Sequence, residues 1–309
     1  MTRPPAPSPS SASHVVVGEG ESHQHPLGGD AANSDTRFAD QRTVELLSGR
    51  RMPALGLGTW QLEGEDCRRM VSAAFDLGIR HLDTAQAYGN EADVGAAVAA
   101  SAVDRDDVFI TTKIGNDRHE PGPLVESVRA SLDRLQTDHV DLLLMHWPVE
   151  FERVGATLSA LAQVQASGMA HHIGVSNFTI EQLDQAAEFA PLEVLQCECH
   201  PFLQQRELRD WCESRSWAFT AYSPLARGDV MDDDVLADIA NKHSTSAAGV
   251  TVAWLLSLPR VTTIPKTTDP DHLADNLAAA KIELDHDDLD RIAALDEGRR
   301  LVDPEHAPW

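Results

Sequence analysis

Residues 108–146 read VFITTKIGNDRHEPGPLVESVRASLDRLQTDHVDLLLMH. An apolar run, Val108–Lys113, is followed by a helix-like stretch, Val125–Leu135, and then by a second apolar run, Val140–His146. Short apolar runs of this kind suit strands covered on both faces, and the spacing between them suits a helical crossover, so the unit reads as β-α-β with parallel strands. The same alternation extends in both directions. Ile79–Thr84, His172–Val175, Val194–Glu198, Ala218–Tyr222 and Val261–Pro265 are further expected strands. Thr157–Ala166, Ile180–Phe189, Glu207–Ser214 and Ala247–Leu256 are further expected helices. One more strand is needed, near Leu55–Leu57 or from elsewhere in the chain. No GxGxxG opens any of the helices, which removes the best evidence for a doubly wound dinucleotide fold. A (β/α)8 TIM barrel is the expected fold, and the 309 residues are ample for the roughly 250 that it needs.

Ahead of the barrel, Thr43–Leu47 and Arg50–Ala54 flank Ser48-Gly49 and read as an N-terminal β-hairpin. Residues 1–41, rich in Pro, Ser, Gly, Ala and His, read as a disordered low-complexity tail, with 42–309 as the barrel domain. The tail lacks the basic start, apolar stretch and cleavage site of a secretory signal. Its histidines, His14, His23 and His25, read as solvated. No run approaches the ~20 apolar residues of a membrane span.

The net charge of -24 disfavours nucleic-acid and membrane partners, because such a surface repels phosphate. Only four of the 25 basic residues are lysine: Lys113, Lys242, Lys266 and Lys281. An acidic, arginine-biased, lysine-poor composition leads us to expect a halophile-like surface whose self-repulsion is screened at high salt. The four cysteines, Cys67, Cys197, Cys199 and Cys212, have no CxxC spacing, consistent with a reduced cytoplasmic protein. Cys197 and Cys199, followed by His200, invite a metal reading. Two thiols on one strand face pack equally well as small hydrophobes, and we expect the latter, with no metal site.

Asp83, Lys113, His146, Asn177, Gln196, Tyr222 and Lys266 all fall at or just past the carboxyl ends of different expected strands. In a (β/α)8 barrel those ends converge on one mouth, where the chemistry is done. The chain has only two tyrosines, Tyr88 and Tyr222, and both belong to these end segments. A phenol beside an ammonium and a carboxylate is a proton donor for a carbonyl that gains a hydride, the lysine drawing the tyrosine pKa down from about 10. A histidine hydrogen bond would orient the carbonyl oxygen. Asp83, Tyr88, Lys113 and His146 supply this tetrad.

Eight segments in order, GLGTW (56–60), LDTAQAYGNE (82–91), TTKIG (111–115), LLLMHWP (142–148), GVSNF (174–178), LQCECHP (195–201), AYSPLARG (221–228) and IPKTTDPDHLADN (264–276), closely resemble the aldo-keto reductase superfamily, in particular its short-loop prokaryotic diketogluconate and aldehyde reductases. The resemblance implies NAD(P)H-dependent reduction of aldehydes and ketones, with NADPH as cofactor and NADH possible. It implies that Ser176, Asn177 and Gln196 hold the nicotinamide carboxamide, that Tyr222 stacks on the ring, and that Gly58, Thr59, Ser223 and Leu225 lie along the cofactor. Lys266 and Thr267 match residues around the adenosine phosphate, and Asn276 matches one near adenine. Where the family pattern carries an arginine for the 2′-phosphate, this chain has His272, which lacks the bidentate fork. Trp60 and Trp147 are expected walls of the substrate site. The usual tryptophan after the lysine is replaced by Ile114-Gly115-Asn116, and the tail after Arg299 is short, so an open site for small aldehydes, ketones or keto-sugars is expected. Trp309, in a Pro-flanked tail, docks or frays. The fold is expected to stand as a monomer. The competing readings are a non-catalytic NADPH-binding regulatory subunit and a metal-dependent isomerase or hydrolase. The first is disfavoured by the intact tetrad, and the second by a mouth that carries lysine, tyrosine and amides.

Overall fold

The computed structural model describes residues 1–2, 38 and 41–309; the tail expected over 1–41 lies almost wholly outside them. The described residues from Phe38 onward form one compact unit. It opens with an antiparallel hairpin, β1 (Thr43–Glu45) and β2 (Arg51–Pro53), whose turn places Gly49 at φ +80, a conformation that costs glycine nothing.

Eight parallel strands follow: β3 (Leu57–Gly58), β4 (His81–Asp83), β5 (Phe109–Ile114), β6 (Val140–Met145), β7 (Ala170–Ser176), β8 (Val194–Glu198), β9 (Ala218–Tyr222) and β10 (Val261–Thr263). Each pairs with its sequence neighbour, in the order β3 through β10. A parallel bridge between Leu55 and Thr263 joins the two ends, with Gly56 N donating to Thr263 O and Gly58 N to Pro265 O. The result is the (β/α)8 barrel, and the undecided eighth strand is β3. A Cβ on Gly58 would stand 2.5 Å from the Ile264 carbonyl oxygen, so the seam closes only around a residue without a side chain.

The helices are α1 (Gly64–Asp76), α2 (Glu91–Ala100), α3 (Pro121–Leu135), α4 (Val154–Ala166), α5 (Ile180–Ala186), α6 (Arg206–Ser214), α7 (Asp234–His243), α8 (Ala247–Ser257), α9 (Pro270–Ala279) and α10 (His286–Ala293). Expected β8 and β9 match to the residue, while α3 starts four residues before the expected Val125, because Pro121 is favourable in a first turn. α5 ends three residues short of the expected Phe189, and Phe189 lies exposed beyond it.

Two hydrophobic layers follow from strand alternation. Leu143 and Met145 of β6 join the cluster that includes the helix residues Leu124, Val128, Leu158 and Leu161. Leu142 and Leu144 point the other way and pack with Phe38, Val44, Leu46 and Met52 of the N-terminal segment, and with Phe109, Val194 and Ala218. The last three are the first residues of their strands, so the hairpin stoppers the amino end of the barrel. Buried Glu193 ties it there, accepting from Ser48 N at 3.0 Å and pairing with His172 Nδ1 at 2.8 Å. His81 is fully buried, and burial lowers its pKa to about 4. As a neutral ring it donates from Nδ1 to Pro53 O and accepts at Nε2 from the Thr111 hydroxyl, each at 3.2 Å.

Candidate active site

The carboxyl ends of the strands bring the expected residues together. Asp83 ends β4, Lys113 lies near the end of β5, His146 follows β6, Asn177 follows β7, Gln196 lies in β8, Tyr222 ends β9 and Lys266 follows β10. All except Lys113 are among the residues lining one cavity of about 560 Å³, with Gly58, Thr59, Trp60, Tyr88, Trp147, Ser176 and Ser223.

At its floor the Lys113 ammonium donates to Asp83 Oδ1 at 2.5 Å, to the Thr84 carbonyl at 3.0 Å and to the Tyr88 hydroxyl at 3.3 Å. Lys113 and Asp83 are almost completely buried. Burial alone would lower the lysine pKa, but the charge of Asp83 and the bonds to Asp83 and Tyr88 outweigh it and raise it, so the ammonium persists. Asp83 Oδ2 accepts from Gln196 Nε2 at 2.8 Å, which fixes the carboxylate from the opposite side.

Tyr88 is presented by a short 3-10 turn, Gln86–Tyr88, pinned at both ends. Before it, Thr84 donates to Asn90 Oδ1, and Asn90 Nδ2 donates to the carbonyls of Thr59 and Leu62. Beside it, Gln86 bonds Ser127, Ser131 and Gly115 N. The expected drop in the tyrosine pKa is corrected by the structure. Burial raises it, and Lys113 offsets this only in part. Tyr88 therefore holds its proton at neutral pH. The His146 ring lies edge-on to Tyr88, with centroids 5.9 Å apart. Burial first, and then Lys113, hold its pKa down at about 3, so the imidazole is neutral.

A second network lines the opposite wall. Tyr222 donates to Asn177 Oδ1 at 2.8 Å, and Asn177 Nδ2 donates to His146 O and Ser176 Oγ, each at 3.0 Å. Asn177 and Ser223 hold left-handed backbone, with φ of +66 and +48, immediately after their strands. Such conformations are concentrated at functional sites. Further along, Lys266 is exposed and Thr267 half-buried. Asn276 is buried in α9, and His272 is exposed in its first turn. Leu225 is half-buried and packs against the core, outside the cavity lining.

Trp60 is 44% exposed at the rim, whereas Trp147 is buried, with rings of His306 and Trp309 at 5.0 and 5.6 Å. The expected open mouth is corrected here. The short tail folds over it, so that Leu301, Val302, Asp303, Pro304 and His306 line the cavity. Trp309 docks, with the Arg300 guanidinium 3.6 Å from its ring centroid and its Nε1 donating to Asp303. Beside Ile114-Gly115-Asn116 lies a side chamber of about 780 Å³, lined by Gln86, Gly115, Asn116, Arg118 and Ser127 and sharing Ala87, His146, Trp147 and His306 with the first cavity. The sequence reading missed His306, Gln86 and Arg69. Arg69 in α1 donates to the Thr268 carbonyl and steadies the Lys266–Asp269 loop. Only the proximity of α1 to α9 reveals it, and no local pattern does. The four thiols are buried, and burial pushes Cys67, Cys197 and Cys199 up to about 12, as small apolar groups rather than ligands.

Comparison with known proteins agrees with this geometry. An Aldo/keto reductase family model matches residues 54–297. An aldo-keto reductase of Mycolicibacterium smegmatis is 39% identical over 261 residues, covering 84% of this chain and 94% of the relative. Methylglyoxal reductase DkgB of Salmonella typhi is 39% identical over 259 residues, covering 82% and 97%. A crystal structure of a Gox0644 variant in complex with NADPH superposes with a TM-score of 0.81 at 34% identity, covering 87% of this chain and 99% of that one. With the model spanning nearly all of the barrel, and with relatives of this identity and coverage, the chain belongs to the aldo/keto reductase family.

Proposed function

We propose that this chain reduces small aldehydes, ketones or keto-sugars with NADPH, with Tyr88 as proton donor. The observation that carries the reading is the Tyr88 hydroxyl bonded to a buried, charge-balanced ammonium inside a cavity whose other wall holds Tyr222, Ser176, Asn177 and Gln196. An aromatic face with a hydroxyl and two amides beside it suits a nicotinamide and its carboxamide. NADPH, when bound, supplies the hydride. Gly58, Thr59 and Ser223 would hold the extended middle of the cofactor, with Leu225 beside them just outside the cavity lining, and Lys266, Thr267, His272 and Asn276 would hold its adenosine end. Tyr88 gives its proton to the carbonyl oxygen as negative charge builds there, and Lys113 stabilises the phenolate left behind. Asp83 keeps the ammonium in place, and neutral His146 donates a hydrogen bond that orients the carbonyl. The direct test is loss of NADPH absorbance when purified protein meets methylglyoxal; cofactor that binds without being oxidised would instead favour the regulatory-subunit reading.

Three expected results follow from particular residues. With His146 neutral above about 3 and Tyr88 raised above its ordinary 10.0, kcat for reduction is flat from pH 5 to 9. The profile has no step near the ordinary histidine value of about 6.5, and kcat falls only where Tyr88 loses its proton. A stopped-flow pH profile with a step near 6.5 would contradict this. His272→Arg restores a bidentate partner for the 2′-phosphate and raises the NADPH-to-NADH affinity ratio roughly ten-fold, about the worth of one charge-assisted bond, as read by fluorescence titration. Finally, the net charge of -24 is screened by KCl, so the melting temperature rises between dilute buffer and about 1 M salt. A steady fall would remove the salt-adapted surface. Among the described residues no helix is long and apolar enough to cross a membrane; a cytoplasmic monomer is part of the same reading.

A further inference from the structure

The tail that walls the cavity is attached to the barrel through its main chain at two places. Phe202 O accepts from Glu297 N and Arg299 N at 3.1 and 3.0 Å. Glu198, the last residue of β8, then accepts from Leu301 N at Oε1, 2.9 Å, and from Val302 N at Oε2, 3.0 Å. His200 Nε2 lies 3.2 Å from Oε1, and both side chains are wholly buried. A carboxylate only accepts, so the ring proton sits on Nε2 and completes a three-donor cage around the anion. Burial alone would raise the Glu198 pKa, but His200 and the two amides outweigh it and hold it low. Beyond Val302 the described tail is held mainly by side chains: His306 to Asn116 at 3.1 Å, the Trp309 contacts, and one internal turn. Glu198 is thus the last main-chain anchor before the residues that separate the cavity from the side chamber.

We propose that Glu198, braced by His200, is a positioning residue for substrate selection: it anchors residues 301–302 so that His306 and Trp309 stand against Trp147 and hold the partition between the two chambers. Glu198 touches no reacting group. It lies two residues from Gln196 on the same strand, so the element that steadies Asp83 also aims the tail. A neutral amide in its place presents an N–H to one of two backbone N–H groups and releases that strand of the tail. The proposal rests on reading this cavity as the substrate site, but the attachment itself is measurable without turnover.

The test is Glu198→Gln beside a chain ending at Val302, with the two changes also combined. In Glu198→Gln, amide exchange over 301–309 accelerates about ten-fold, the scale of one lost hydrogen bond. KM shifts several-fold for phenylglyoxal relative to methylglyoxal, kcat with methylglyoxal stays within about two-fold, and the NADPH Kd is unchanged. The truncated chain shows the same KM pattern, and adding Glu198→Gln to it changes nothing further. His200→Gln, which keeps a donor, retains the wild-type ratio, whereas His200→Leu does not. Wild-type exchange and KM values in Glu198→Gln, or full additivity with the truncation, would overturn the proposal. If the wild type does not reduce either aldehyde, the catalytic reading fails while the exchange result still stands or falls alone.

Discussion

Tyr88→Phe lowers kcat for methylglyoxal reduction by roughly 10²- to 10⁴-fold, the contribution of a positioned general acid, and leaves the NADPH Kd within two-fold. The substitution removes one oxygen and nothing from the packing. The ring keeps its edge-on contact with His146 and its place in the pinned 3-10 turn. The hydroxyl accepts one of the three Lys113 bonds, so the ammonium retains Asp83 and the Thr84 carbonyl. The loss therefore appears in the chemical step, with the melting temperature little changed. Single-turnover absorbance decay separates this from slow release. Turnover within ten-fold of wild type would move the proton to another donor, His146 or water.

Lys113→Met has a different signature, because it strikes stability and chemistry together. It leaves the Asp83 carboxylate buried without its counter-charge, held only by Gln196 among the bonds described above. Breaking a buried pair from one side costs about 3–5 kcal/mol, which for a chain of this size is a fall in melting temperature of roughly 10 °C. Adding Asp83→Asn removes the stranded charge while keeping an oxygen for Gln196. The double variant regains most of the lost melting temperature, yet its turnover stays at least as low as that of Tyr88→Phe, because nothing then stabilises the phenolate. Scanning calorimetry alongside kinetics distinguishes the two effects. A double variant as unstable as Lys113→Met would mean that methionine packing, and not charge, sets the cost.

Most of the barrel was legible because each strand is a compact apolar run followed by a polar residue at its carboxyl end. Asp83, Lys113, Gln196 and Tyr222 are readable for that reason: strand position alone decides where they point. β3 was harder, since two residues, one of them glycine, make no periodic signal, and only its pairing with β4 and the neighbouring bridge between Leu55 and Thr263 define it. The shift in Tyr88 was misjudged because proximity to lysine can be read from a motif, whereas the depth of burial cannot. The tail was misjudged for a similar reason. Ten residues look too short to form a wall until Glu198, about a hundred residues earlier, is seen to hold two of their amides. Contacts of that separation leave no local trace. Cys197 and Cys199 were readable as core because alternation along a strand already pairs them on one face.

With the hairpin packed against the amino end of the barrel, the site described here is approached from the carboxyl end, past Trp60 and His306. Incoming carbonyl and departing alcohol that share this approach contend for a passage as well as for a site. For the bulkiest substrates the pace is then set by traffic at the doorway, and widening the doorway speeds them without any change in the chemistry at its far end.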